Sequence, residues 1–317
     1  MIITNTVGAG PKMFIFTLNN SDGAIIKQTD MTNNDSVQGL IIDKNDNIII
    51  SGNVSGGYDW DADPSSSVYI IKGDGASSDG YLVKYDKDHN FIWANDIGSV
   101  GYDDATTIGY DKTRDEIYYT GMIEGAINVN PRGDDFILEV DNSIGGAYVI
   151  VKYNSDGIAQ MGHVYDGLSA WALLEDARVS SDGTKLLVLG EYKNKPDLDF
   201  TDNVFKPTQE GSFDRNWFIA VYNLATNTLH NTVFIEVSGF TGESGNRGDV
   251  HPYSNGFLLV SDKGSKMSFY DKNYDIIGSV GDGHTFTHSD PATYYASIVK
   301  IDNAVSISNT APVAESM

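Results

Sequence analysis

One stretch of this chain is written several times over, and that constrains the fold more than any other feature. Asp79–Ala94 reads DGYLVKYDKDHNFIWA. Tyr81, Val83 and Tyr85 alternate with Leu82, Lys84 and Asp86, the period of two that a strand requires. Asp86–Asn90 is turn chemistry, because Asp and Asn bond their own backbone and tolerate left-handed φ. Phe91–Ala94 then returns as a second strand. The same sentence recurs at Ala147–Gly157, Trp217–Asn227 and Lys266–Tyr274, and near the start at Lys12–Gly23. Aligning Leu18, Tyr85, Tyr153, Tyr222 and Tyr270 gives spacings of 67, 68, 69 and 48. Such a repeat decides the architecture before any single residue does.

A second kind of strand pair repeats in phase with the first. It reads VQGLIID then NIIISGN over Val37–Asn53, and ATTIGYD then EIYYTGM over Ala105–Met122. Fainter copies stand at Ala177–Glu191, Val250–Asp262 and Tyr295–Asn309. Gly52, Gly121, Gly190, Ser261 and Ser308 align, spaced 69, 69, 71 and 47. Each unit thus holds four antiparallel strands, A to D, and such units repeated radially are the blades of a β-propeller. The expectation is an all-β, five-bladed β-propeller forming a single domain over residues 1–309. Four blades fall at about 37–98, 105–166, 176–237 and 249–281. The fifth joins 294–309 with 12–29, so that the N-terminal strands close the ring against the C-terminal A–B strands and leave no exposed edge. Ser169–Arg178 is read as a short helical turn. Residues 310–317 are read as a flexible tail.

Charge narrows the partners. The net charge is −23 and the pI about 4.3, and 35 of the 44 acidic residues are Asp. Asp is poor inside helices and strands, so the acidity belongs in loops. It excludes nucleic acid, which needs a basic footprint, and it permits hard cations. The chain has no cysteine, hence neither disulfide nor thiol chemistry. No apolar run approaches a membrane span, so membrane insertion is not expected. Residues 1–20 show no classical signal peptide. The expected location is extracellular or on a virion surface.

Short A–B and C–D turns fall on one face of such a ring, and long B–C and D–A loops on the other. Binding residues concentrate on long loops held by a rigid scaffold, so the long-loop face is the functional face. Its B–C loops are Ser55–Ser78, Glu124–Gly146 and Lys193–Asn216. The sharpest motif is Tyr58–Pro64, in which Asp59, Asp61 and Asp63 carry the spacing of a Ca²⁺ site. The competing reading is that they bond loop backbone, as Asn128 and Asn130 would in the second copy. Tyr58, Trp60, Tyr102, Trp171 and Phe240 are candidate ligand-binding aromatics, able to stack on sugar rings or to pack beneath their loops. Asp103, Asp104, Asp166, Glu243 and Asp249 gather in D–A loops, but a glycosidase needs one defined pair and none stands out. His251, His284 and His288 lack the spacing of a transition-metal site. No catalytic residue is assigned.

The order of residues in Asp79–Ala94, Gly98–Ala105 and Ile108–Gly121 resembles the SBBP-type β-propeller repeat of bacterial surface proteins. The D-F-D-P loop of that family is similar to Asp61–Pro64, with Asn128–Pro131 and Asp197–Asp199 as drifted versions. The resemblance implies a scaffold or binding module without catalysis. The expected function is therefore a non-enzymatic structural or binding module of a virion or cell-surface assembly, with a protein partner or a glycan. The alternative is a carbohydrate-binding or glycoside-cleaving propeller.

Overall fold

The computed structural model describes residues 13–31, 36–73, 77–99, 101–140, 146–165, 174–192, 195–201, 203–207, 216–238, 248–253, 256–261, 266–270, 276–280, 297–302 and 306–308. Among them every regular element is a strand, so the chain is all-β. It divides into two compact units, residues 1–162 and 163–317.

In the first unit, β1 (Phe14–Leu18) and β2 (Ile25–Asp30) form a two-stranded hairpin. β3 (Ser36–Ile42) and β4 (Ile48–Val54) are the first A–B pair. A small hairpin, β5 (Asp59–Asp61) with β6 (Ile70–Lys72), rises from the B–C loop. β7 (Asp79–Tyr85) and β8 (Phe91–Ile97) complete a sheet of order β3-β4-β7-β8. The pattern then repeats: β9 (Asp104–Asp111), β10 (Glu116–Ile123), the loop hairpin β11 (Ala126–Asn128) with β12 (Ile137–Glu139), β13 (Ala147–Asn154) and β14 (Ala159–Tyr165). Its sheet order is again A-B-C-D, β9-β10-β13-β14.

The turns follow from the acidic composition. Asp43 Oδ1 accepts the amides of Asn45 and Asn47 at 2.8 and 2.9 Å. Asp111 and Asp86 hold their own turns in the same way. Each turn needs one left-handed residue, and Asp46, His89, Asp115 and Asn227 supply it at φ between 52° and 64°. Asp86-x-Asp88-x-Asn90 is thus an Asx turn.

The two sheets of this unit lie face to face, with β9 against β3, β4 and β7. Gly39 permits the close approach, since a Cβ there would stand 2.8 Å from Ile108 Cγ1. Polar groups are matched across the same seam. Asn53 Oδ1 accepts the Ala105 amide at 2.7 Å, and Asn95 Nδ2 donates to the Gly157 carbonyl at 2.9 Å. Lys84 Nζ lies 2.8 Å from Asp43 Oδ2, both side chains buried, and donates to the Ser155 carbonyl at 3.0 Å. Burial pushes the Asp43 carboxyl up, but Lys84 and the turn amides outweigh it and hold it below its usual value.

In the second unit, β15 (Leu174–Val179), β16 (Lys185–Tyr192), β17 (Asn216–Asn223) and β18 (Thr228–Ser238) give the third A-B-C-D set. Leu174–Arg178 is therefore strand, not the helical turn read from the sequence. β19 (Gly248–Tyr253) and β20 (Gly256–Ser261) follow, then β21 (Lys266–Tyr270), β22 (Ile276–Val280), β23 (Ser297–Asp302) and β24 (Ser306–Ser308).

Here the pairing departs from the repeat phase. The sequence reading put 249–281 in one sheet and joined 294–309 to 12–29. Instead, β21–β22 extend the third sheet along β18, and β23–β24 lie beside β20 in a sheet of order β19-β20-β23-β24. The extra pairing is carried by β18. Its eleven residues run on through Phe234–Ser238, which pair with Tyr270–Lys266.

Candidate functional site

The three B–C loops share one construction. In the first, the amides of Asp63 and Tyr69 donate to Asp61 Oδ1 at 3.1 and 2.9 Å, and the Ala62 amide donates to the Tyr69 carbonyl at 2.8 Å. In the second, Asn128 Oδ1 accepts from Asn130 and Phe136 at 3.0 and 3.1 Å. In the third, Asp197 Oδ1 accepts from Asp199 and Phe205 at 3.1 and 2.9 Å. One side-chain oxygen thus closes each loop across an eight-residue span, leaving its tip to project.

A tyrosine of the C strand pins the first two loops from below. Tyr85 Oη donates to the Ala62 carbonyl at 2.9 Å and Tyr153 Oη to the Val129 carbonyl at 2.7 Å. The third equivalent, Tyr222, stacks on Phe200 with ring centroids 3.7 Å apart. These are the tyrosines that mark the repeat. Burial pushes their hydroxyls well above the ordinary tyrosine range, so they act as neutral donors.

The aromatic candidates separate. Tyr58 and Tyr102 are exposed, at 62% and 43%. Trp60 is fully buried with its ring 4.7 Å from that of Tyr81, so it belongs to the core beneath the loop and offers no stacking surface. Strand alternation in β5 explains this, since Asp59 points out and Trp60 in. Trp171 and Phe240 lie outside the described residues, as do Asp166, Glu243, His284 and His288. Asp59 is exposed, and Asp61 and Asp63 are half-buried in backbone bonding. Asn128 builds the same loop without charge, so the loop's shape requires no cation. Among the described residues no three His, Asp or Glu side chains gather as a metal would need.

Near Tyr102 the D–A loop is densely bonded. Asp103 Oδ2 accepts the Ser99 amide at 2.6 Å and Oδ1 the Glu124 amide at 2.8 Å. Burial still raises this carboxyl. Glu124 Oε2 accepts the Tyr102 amide at 3.1 Å. The Tyr102 hydroxyl is raised by its bond to Asp104 and by burial. Asp103 and Glu124 are therefore spent on holding Tyr102 at the surface.

The structure selects one acid pair that the sequence did not. Asp249 on β19 hydrogen-bonds Asp176 on β15, and Asp176 is 2% exposed. Asp176 Oδ2 also accepts the Val250 amide at 3.1 Å, while Arg178 Nε stands 3.0 Å from its Oδ1 and Arg178 Nη2 3.7 Å from Asp249. Burial, then Asp249, pushes the Asp176 carboxyl up to about 7, and the bond from Asp176 lowers Asp249. Asp176 therefore gives up its proton less readily than Asp249.

No protein-family model and no curated protein matches the chain. Among solved structures it is similar to the Kuenenia stuttgartiensis hydrazine synthase, with a TM-score of 0.39 and 7% identity over 81% of this chain and 70% of that one.

Proposed function

We propose that the chain is a non-enzymatic β-propeller that binds through its B–C and D–A loop face, as a structural or binding module of a virion or cell-surface assembly. One observation carries this. Three B–C loops of unlike sequence are closed by the same clamp, the arrangement of a scaffold that presents variable tips. Exposed Tyr58 and Tyr102 are the residues chosen for contact with a protein partner or a glycan. The test is binding of the purified chain to a glycan array and to intact cells, beside a Tyr58→Ser, Tyr102→Ser double variant. Saturable binding that the double variant loses supports the reading. Binding indifferent to both tyrosines, or turnover of a substrate, overturns it.

Five-bladed closure is part of the proposal and rests on the repeat phase. Its test uses the absence of native cysteine. With Leu259→Cys, the blade order expects a disulfide to Ser268→Cys, whereas the β20–β23 pairing expects one to Val299→Cys. Ca²⁺ at Asp59, Asp61 and Asp63 is a separable part. Binding there raises Tm by mass action, and a melt unchanged between calcium and EDTA removes it.

A further inference from the structure

We infer that His89 is a proton-sensitive latch that holds the β1–β2 hairpin onto the first sheet and releases it on acidification. Among the described residues, β1 and β2 form backbone ladders only with each other. A lone two-stranded hairpin is marginal in water, so side chains must hold this one down. Met13, Ile15 and Met31 do so by joining the core of Ile48, Ile50 and Tyr85. The polar half of the attachment converges on the C–D turn. Thr17 Oγ1 lies 2.8 Å from His89 Nε2, and Thr29 Oγ1 2.8 Å from Nδ1. Lys27 Nζ donates to the Asp88 carbonyl.

The turn itself does not ask for histidine. His89 sits at φ 62°, where the other sheets place Gly157 and Asn227. A bulky residue in the left-handed region costs about 1–2 kcal/mol, so here a strained backbone position carries a ring whose two nitrogens reach β1 and β2.

The neutral ring offers one donor and one acceptor, and two threonine hydroxyls can answer both. A protonated ring has two donors and a charge, at a site only 2% exposed. The charged groups facing it are Lys27 from β2 and Asp86 and Asp88 from its own turn, while β1 contributes only the Thr17 hydroxyl. Lys87 is turned to Asp88 Oδ2 at 2.7 Å. Burial first, then Lys27, holds the imidazole below its ordinary pKa, against the two aspartates. Docking therefore favours the unprotonated ring. The latch is at full strength above about pH 6.5 and weakens as pH falls through the docked value. Release uncovers Met13, Ile15 and Met31 and widens a groove of about 450 Å³ floored by Leu40, Ile42, Ile48 and Ile50.

The experiment is amide exchange on the whole chain at about pH 8 and about pH 5, expressed as protection factors for β1 and β2 relative to β13. Each unit by which docking depresses the ring is worth about tenfold in that ratio. The ratio is expected to fall on acidification in the wild type and to stay constant in His89→Asn, which tolerates the left-handed backbone but does not titrate. A wild-type ratio independent of pH, or a variant that keeps the wild-type dependence, overturns the inference. NMR titration of the His89 ring covers the case in which His89→Asn is already open at both pH values. The loss of protection must begin near the undocked value of about 6.5 and level off at the ring's own docked midpoint, and a loss outside that window overturns the latch.

Discussion

Replacing Asp176 by Asn should make the second unit's stability less dependent on pH. The carboxyl moves from 3.8 in the unfolded chain to about 7 in the folded one. A raised folded-state pKa contributes stability that is complete below about pH 3.8 and lost as pH rises through about 7. A shift of about three units is worth about 4 kcal/mol at most. The opposite shift of Asp249 returns part of that, because the two carboxyls titrate together. Asparagine carries no titrating proton and keeps one oxygen for the Val250 amide, at the cost of the acceptor for the Ala177 amide, a loss that does not vary with pH. Urea unfolding at about pH 5, 6, 7 and 8 tests this on both proteins. The wild type should lose stability relative to Asp176→Asn as pH rises across that range. Because other titrating groups are common to both proteins, the difference isolates this pair. Parallel stability profiles would refute the reasoning.

Two further outcomes follow from bonds described above. Lys84→Met removes the cation paired with the buried Asp43 carboxylate, leaving it only its turn donors, and should cost about 3–5 kcal/mol in urea unfolding. Adding Asp43→Asn should recover much of that loss. Asp61→Asn preserves the acceptor that closes the first B–C loop and should stay within about 1 kcal/mol of wild type, as the natural Asn128 suggests. Asp61→Ala leaves the Asp63 and Tyr69 amides without it and should cost about 1–3 kcal/mol, seen as a lower Tm.

The strands of the first three repeats were legible because alternation and turn chemistry are local. Tyr81, Val83 and Tyr85 on one face, and Asp43, Asp86 and Asp111 at turn entrances, each fix a structure within a few residues. The loop motif was legible in place and ambiguous in meaning. D-x-D spacing suits a cation and equally suits an aspartate that accepts the amide two residues on, and only the second bond eight residues on, to Tyr69, distinguishes them. For Trp60 the long loop left stacking and packing both open, although the alternation Asp59-Trp60-Asp61 already turned it inward. Asp176 and Asp249 could not be paired beforehand, since their meeting depends on how β15 and β19 pack. The last third was less legible for another reason. A weak repeat specifies that a strand pair forms but not which sheet edge it joins, and here β21 lies along the extension of β18.

The clamp on the B–C loops separates a loop's anchorage from its content. The anchoring oxygen and the amide it receives stand eight residues apart in all three loops, while Ser65–Val68 and Pro131–Asp135 between them are exposed. Those tips are interchangeable cassettes. Peptides of equal length could be grafted into two neighbouring loops at once, with Asp61 and Asn128 kept as fixed ends and the tyrosines beneath left untouched. A new specificity could then be installed on this chain without redesigning its core.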